Sequence, residues 1–269
     1  MAAVSLTVIE PLRNVLSARP LGLFSDIDGT LSPIVERPEE ATVTPRCRKL
    51  LRGLIGEGVR VALITGRALE VARSMVKIDE AAYAANHGLE YWFKGRVEWA
   101  EGVDEYGALV EQVLAKTTHL EAFGVQVERK GPGVAFHYRR APDAQAARAA
   151  ILHAMQSFNA ARRFRLNDGR KVVELRPDVQ ANKGTATRFL ADRLGVKGII
   201  CVGDDRTDID MFEAISNFRS QGVEGYRVAV LSAETVPELL SAADYTVEGV
   251  EGVEWLLGEV LKAVGGKSP

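Results

Sequence analysis

Cysteine is scarce in this chain: Cys47 and Cys201 are the only two, and they lie far apart. No disulfide framework and no CxxC pair follows from them, and a reducing, cytoplasmic setting is expected. An excess of one charge is also missing. Lys+Arg is 34 against Asp+Glu 36, a formal net charge of -2, so there is no general field to draw in nucleic acid. Any anionic ligand must be captured by local groups. No apolar run is long enough to cross a bilayer, and Glu10 and Pro11 interrupt the first twenty residues, which have no basic stretch. Neither a signal peptide nor a membrane span is expected. A G-x-G-x-x-G after the first apolar strand is absent too, which argues against a dinucleotide site. What remains is an ordinary globular composition, 46% hydrophobic and 26% charged over 269 residues. That is enough for one large domain or two modest ones.

Hydrophobic period divides the chain into three regions. In the first, Leu21-Gly22-Leu23-Phe24 is a short apolar run. A helix is expected from about Pro45, with Leu50, Leu51, Leu54 and Ile55 on one face. Val59 to Ile64 reads as a strand, Ala68 to Val76 as a helix and Ala81 to Ala85 as a third strand. Buried strands alternating with amphipathic helices predict a parallel sheet covered on both faces. The middle region changes period. A helix from Val103 to about Glu121 precedes half-exposed strands at Val125 to Arg129 and Val134 to Tyr138. A helix from Pro142 to about Phe158 and two strands flanking Asp168-Gly169 follow. This α-β-β-α-β-β order predicts a small antiparallel sheet inserted into the first domain. From Asn182 the alternation resumes, with the apolar strand Gly198 to Val202 and another at Arg227 to Val230. The expected organisation is an α/β parallel-sheet core at 1–102 and 179–269, with the insertion at 103–178.

Four motifs carry chemistry. Phe24-Ser25-Asp26-Ile27-Asp28-Gly29-Thr30-Leu31 puts two carboxylates directly after a buried strand, where ligands bind in doubly wound sheets. Asp26 and Asp28, two residues apart, would share a face in extended geometry and need a cation or a shared proton. One could attack phosphorus while the other exchanges protons with the leaving oxygen and with water. A solvated Asp-Gly turn is the plainer alternative; an EF-hand loop is disfavoured because Gly29 comes too early. Thr65-Gly66-Arg67 offers a hydroxyl and exposed amides at a helix start, a small anion site, although Thr-Gly also caps helices with no ligand. Lys183 opens a helix and could neutralise a phosphate as a compact charge, or be an exposed turn lysine. Gly203-Asp204-Asp205-Arg206-Thr207-Asp208-Ile209-Asp210 packs four carboxylates into seven residues after a strand. A favourable helix dipole accounts for one or two of them. A hard divalent ion such as Mg2+ accounts for the cluster.

In this order along the chain, Asp-x-Asp-Gly-Thr, Thr-Gly-Arg, Lys and Gly-Asp-Asp-x-x-Asp resemble the motifs of haloacid dehalogenase superfamily phosphatases, with the inserted region similar to their cap domain. The resemblance implies Asp26 as nucleophile, Asp28 as general acid/base, and Thr65 and Lys183 as holders of the phosphoryl group. Asp204, Asp26 and the backbone carbonyl of Asp28 would bind Mg2+, with Asp205 and Asp208 in or near its outer shell.

Substrate choice should reside in the insertion, because the four motifs meet only the phosphoryl end. Period 2 puts Gln126, Glu128 and Lys130 on one strand face, and Val172, Glu174 and Arg176 on one face of another. Carboxylate and ammonium groups suit sugar hydroxyls, though charges on an edge strand also deter aggregation. The runs Asp26 to Ile34, Asn86-His87-Gly88, Val127-Glu128-Arg129-Lys130, His137-Tyr138-Arg139, Glu174-Leu175-Arg176-Pro177 and Asn182-Lys183-Gly184 resemble those of trehalose-6-phosphate phosphatases. That resemblance implies that Glu128, Lys130 and Glu174 grip the distal glucose, with Gly66, Arg67, His87 and Arg139 as further substrate contacts. His137, on a patterned strand, is expected to be packed. Ile27 departs from the aromatic residue many members carry there. Sucrose 6-phosphate and glucosyl- or mannosyl-phosphoglycerate are the nearest alternative substrates. A phospho-acceptor switch shares the Asp, Thr and Lys but lacks Asp-x-Asp-Gly-Thr and an insertion. A small-molecule partner is expected, with no nucleic acid and no membrane, and a monomer rather than a weak dimer.

Overall fold

Apolar strands buried on both faces build the core of the larger of two units. The computed structural model describes residues 3–158 and 160–266. It packs the chain into two compact units, one from the segments up to Glu98 and from Ala181 onward, the other from Trp99–Gln180. The first segment runs β1 (Val4–Ser5), α1 (Arg13–Ser17), β2 (Leu21–Ser25), α2 (Pro45–Gly56), β3 (Arg60–Ile64), α3 (Leu69–Val76), β4 (Ala82–Ala85), β5 (Glu90–Phe93) and β6 (Arg96–Trp99). Next come α4 (Tyr106–Thr117), β7 (Gln126–Lys130), β8 (Gly133–His137), α5 (Ala144–Ser157), β9 (Phe164–Gly169) and β10 (Val172–Pro177). The chain continues as α6 (Lys183–Leu194), β11 (Gly198–Gly203), α7 (Ile209–Ser220), β12 (Glu224–Leu231), α8 (Pro237–Ala242), β13 (Tyr245–Glu248) and α9 (Gly249–Val264).

In the first unit nine strands form one sheet in the order β1-β13-β12-β11-β2-β3-β4-β5-β6. From β1 to β4 neighbours are parallel; β5 runs antiparallel to β4. The chain leaves β2 toward β3 and β4, then returns to the other side of β2 at β11, so the sheet switches direction at β2. The carboxyl ends of β2, β3 and β11 therefore lie side by side, the ordinary place for a ligand in this architecture. Every residue of β2 and β11 is buried. Leu23, Leu63, Ile200 and Val202 pack in one core with Leu51 and Leu54 of α2 and Leu256, Leu257 and Val260 of α9. Full burial of each leucine contributes about 1.5–3 kcal/mol.

The second unit is a four-stranded antiparallel sheet in the order β7-β8-β10-β9. One face packs on α4 and α5, with Val110, Val113, Ile151 and Met155 against Val134, Phe136, Val173 and Leu175. The other face carries the polar members of the alternation.

The α-β-β-α-β-β order and the parallel core follow the sequence pattern, and the differences are local. The helix expected to reach Glu121 stops at Thr117 and continues as a 3-10 turn over Thr118–Phe123, ended by Gly124 at φ 74°. Helix α5 begins at Ala144 rather than Pro142, because Asp143 caps it, its Oδ1 accepting from Gln145 N and Ala146 N at 2.9 Å each. Strands β1, β5, β6 and β13 have no counterpart in the sequence reading. The turn between β5 and β6 is Lys94-Gly95, at φ 49° and 82°, where the usual signal would have been Asn-Gly or Asp-Gly.

Candidate active site

Asp26, at 4% exposure, follows β2 directly. Its Oδ1 accepts from Lys183 Nζ at 2.8 Å, and the same ammonium donates to Asp208 Oδ1 at 2.6 Å. Lys183 is the first residue of α6, where the helix dipole opposes a positive charge. The helix starts there nonetheless because Asn182 and Thr185 form a reciprocal capping box. Burial also pulls against the charge of Lys183, but Asp208 and Asp26 outweigh it and hold its pKa above the ordinary value. Asp208 is fully buried and fixed from both sides: its Oδ2 accepts from Asp204 N at 2.9 Å and Asp205 N at 3.0 Å. Asp204 is oriented by Thr30, whose Oγ1 donates to its Oδ1 at 3.1 Å. Gly29 makes this approach possible. It sits at φ 80°, and a Cβ there would run into the Asp204 carboxylate.

Ligand oxygens of Asp26, Asp204 and Asp208 all lie within 4.8 Å of one another. Burial, then the Asp208 charge, push the Asp204 carboxyl up to about 7, against the Thr30 hydroxyl and Lys183. Burial likewise pushes Asp26 well up, aided by Asp208 and Asp204 and opposed by Lys183. Three buried carboxylates facing one ammonium fit a hard divalent cation, which favours oxygen donors and relieves their mutual repulsion.

Asp28 and Asp205, the other carboxylates expected near the ion, also line the cleft but are engaged by other partners. Asp28 is held by the Arg67 guanidinium in a bidentate pair, Nε to Oδ2 at 2.6 Å and Nη2 to Oδ1 at 2.7 Å, and Arg67 Nη1 also donates to Pro38 O at 2.9 Å. Asp205 is exposed and accepts from the backbone N–H of Arg206, starting the turn that leads into α7. After β3, Thr65 is buried and its Oγ1 accepts from Arg67 N at 3.1 Å. The imidazole of His87 lies against Gly66. These groups line one cleft of about 440 Å³, into which Asp26, Asp28, Thr65, Arg67, Lys183 and Asp204 open.

Within the inserted unit, Glu128 and Glu174 both face Ala135 of β8, from opposite sides, and so share the polar face of the sheet. Glu174 accepts from Lys130 Nζ at 2.9 Å, and from Arg176 Nε at 2.9 Å and Nη2 at 2.7 Å. Burial raises the Glu174 carboxyl, but Lys130 and Arg176 more than offset it and hold it below the ordinary value. His137 is not packed, as its strand position suggested. It points to the polar face, with Nε2 at 2.8 Å from Glu128 Oε2. Arg139 lies in the exposed turn after β8 and makes none of the contacts that link Lys130, Glu174 and Arg176.

Comparison with known proteins gives this arrangement a family. Residues 24–251 match the family model described as trehalose-phosphatase. The chain belongs to the trehalose-phosphatase family. Among relatives, a trehalose 6-phosphate phosphatase of Zea mays is 30% identical over 287 residues, 98% of this chain and 76% of that protein. A Mycobacterium tuberculosis protein described as an uncharacterised glycosyl hydrolase is 35% identical over 226 residues, 78% of this chain, which spans 16% of that protein's length. Among solved structures, an Aspergillus fumigatus trehalose-6-phosphate phosphatase superposes with a TM-score of 0.64 at 25% identity, over 97% of this chain and 99% of that one. The C-terminal domain of a Candida albicans trehalose-6-phosphate phosphatase shares the fold, with a TM-score of 0.69 at 22% identity over 96% and 98%.

For this trehalose-phosphatase family member, the sequence motifs named the carboxylates and the lysine but not their supports. Thr30 as a partner of Asp204, Arg67 as a partner of Asp28, and the Glu128–His137 pair all depend on contacts between strands. Ser232, Glu234 and Thr207, also in the cleft wall, carried no signal beyond a polar loop.

Proposed function

We propose that the chain is a Mg2+-dependent phosphatase that converts trehalose 6-phosphate to trehalose and phosphate through an aspartyl phosphate on Asp26. The observation that carries this is the buried set of Asp26, Lys183, Asp204 and Asp208 at the carboxyl ends of adjacent parallel strands, in a chain of the trehalose-phosphatase family. Asp26 and Asp204, with the backbone carbonyl of Asp28, would hold Mg2+. The ion would supply positive charge to the transferring group.

The residues of the chain do the rest. An oxygen of Asp26 attacks phosphorus in line, and the bond from phosphorus to the sugar O6 breaks. Asp28, protonated, gives its proton to that oxygen, so trehalose leaves neutral. Asp28, now ionised, takes a proton from water as the water oxygen attacks the aspartyl phosphate, releasing phosphate and restoring Asp26. Lys183 and the Thr65 hydroxyl offset the charge on the phosphoryl oxygens. Before the first step Asp28 must give up its bidentate pair with Arg67, whose guanidinium is suited to phosphate oxygens instead. Glu128, Lys130 and Glu174 would bind the distal glucose through its hydroxyls.

Two buried free thiols, Cys47 and Cys201, suit a reducing cytoplasm. No helix among the described residues is long and apolar enough to cross a membrane. The test is phosphate release from trehalose 6-phosphate beside sucrose 6-phosphate and glucosyl- and mannosyl-3-phosphoglycerate, each with Mg2+ and with EDTA. Trehalose 6-phosphate should have the highest kcat/KM, and EDTA should abolish turnover. Preference for another ester would move the substrate; a stable phosphoprotein without turnover would make the chain a phospho-acceptor switch.

A further inference from the structure

After β4 the backbone takes three consecutive residues through positive φ: Asn86 at 48°, His87 at 56° and Gly88 at 92°. That region disfavours any side chain, and two in a row require support from their surroundings. The turn is fastened to the loop after β3. Asn86 N donates to Arg67 O at 2.8 Å and His87 N to Thr65 O at 3.0 Å. Gly66, between those carbonyls, has no room for a Cβ because the His87 imidazole occupies the space. The shape of Thr65-Gly66-Arg67 is thus set by the 86–88 turn. Helix α3 starts two residues beyond Arg67, and its N-cap, Ala68, has no side chain able to cap it. Instead Leu69 N donates to Glu90 Oε2 at 3.3 Å, a carboxylate at 6% exposure that arrives from β5. The Asn86 amide is also buried. Burial raises the Glu90 carboxyl above its ordinary range, opposed by the Leu69 N–H and then by the nearby Asn86 amide, although neither Nδ2 nor Oδ1 of Asn86 makes a hydrogen bond of good geometry among the described residues.

We propose that Glu90 is a positioning residue for the phosphate-binding loop. Its carboxylate ties the start of α3 to the 86–88 turn, and thereby sets the Thr65 hydroxyl and the Arg67 guanidinium that pairs with Asp28. A carboxylate at a helix N-terminus complements the dipole and serves an orphan N–H. Here it comes from a different strand, so it joins the start of α3 to the chain that leaves the 86–88 turn. The inference rests on the reading that Thr65-Gly66-Arg67 meets the phosphoryl group.

The test compares the full chain with Glu90→Ala, Glu90→Gln and Asn86→Gly, the last keeping a residue at ease with positive φ. Three quantities are read with Mg2+ present: kcat and KM for trehalose 6-phosphate, inhibition by inorganic phosphate, and hydrogen exchange at the Leu69 amide. Glu90→Ala should lower kcat about 10- to 100-fold, weaken phosphate inhibition severalfold and speed Leu69 exchange, while Glu90→Gln, which keeps an acceptor, should stay within about threefold of the parent. Should Glu90→Ala not fold, Asn86→Gly carries the comparison, with losses in the same direction. Unchanged kcat and phosphate inhibition in folded Glu90→Ala or Asn86→Gly would overturn the role, as would a Glu90→Gln as damaged as Glu90→Ala. Calorimetric binding of inorganic phosphate needs no turnover. A parent chain that hydrolyses no ester would therefore count against the functional reading, while weaker phosphate binding in Glu90→Ala would still support the positioning role and equal binding would overturn it.

Discussion

Asp204 shows what the site demands of a single side chain. Its carboxyl is pushed from 3.8 up to about 7, first by burial and then by Asp208. Without a bound cation the folded chain therefore keeps a proton there that the unfolded chain has already lost. Between those values the favourable contribution falls as pH rises, and above about 7 the folded state must carry an ionised, crowded carboxylate. Divalent ions bind the ionised form, so their stabilising effect should grow over the same range. The gap in Tm between Mg2+ and EDTA samples is expected to be wider at about pH 8 than at about pH 5.5, by about 3 °C or more. Equal gaps at both pH values would mean that Asp204 does not hold the ion.

At the scale of elements, the last strands are pinned by one carboxylate. Asp244, just before β13, accepts from Arg219 of α7, Nη1 at 3.0 Å, and from Arg227 of β12, Nη2 at 2.6 Å and backbone N at 2.9 Å. Burial raises its pKa, but the hydrogen bonds from Arg227 and Arg219 bring it down to about 2. This stabilisation is complete above the ordinary 3.8 and disappears as pH falls through about 2. Allowing for its partial exposure, Asp244→Asn should cost about 1–2 kcal/mol near neutral pH and nothing at about pH 2, as read from urea unfolding. A neutral effect at both would show the triad to be ornamental.

Elements also mark how far the sequence could be read. Strands β2, β3 and β11 were legible because unbroken apolar runs between helices have one sensible place, the middle of a covered sheet. Strand β13 was not: Tyr245–Glu248 is four residues long and its two buried residues, Thr246 and Val247, are adjacent, so no period can be read from it. The same limit applies in the site. Asp26 and Asp204 follow apolar runs and Lys183 opens a helix, so they announce themselves, whereas Arg67 as the partner of Asp28 depends on where β3 lies beside β2. His137 was misread because alternation assigns a residue to a face without saying which face is the core.

Over the whole molecule, the active cluster is an outcome of topology. Lys183 meets Asp26 across 157 residues of chain, and Thr30 meets Asp204 across 174. The sheet's change of direction at β2 brings these distant segments to one end, and the inserted unit spans the gap in sequence without interrupting the sheet. Catalysis by this site therefore requires the first unit complete, from both of its segments.

The most direct measurement is a rapid acid quench of the full chain during turnover of trehalose 6-phosphate, followed by borohydride reduction and mass spectrometry of the peptide bearing residue 26. An acyl phosphate on Asp26 would be reduced to homoserine at that position, and Asp26→Asn should give neither homoserine nor turnover. Full-rate phosphate release with Asp26 unmodified in every quenched sample would contradict it.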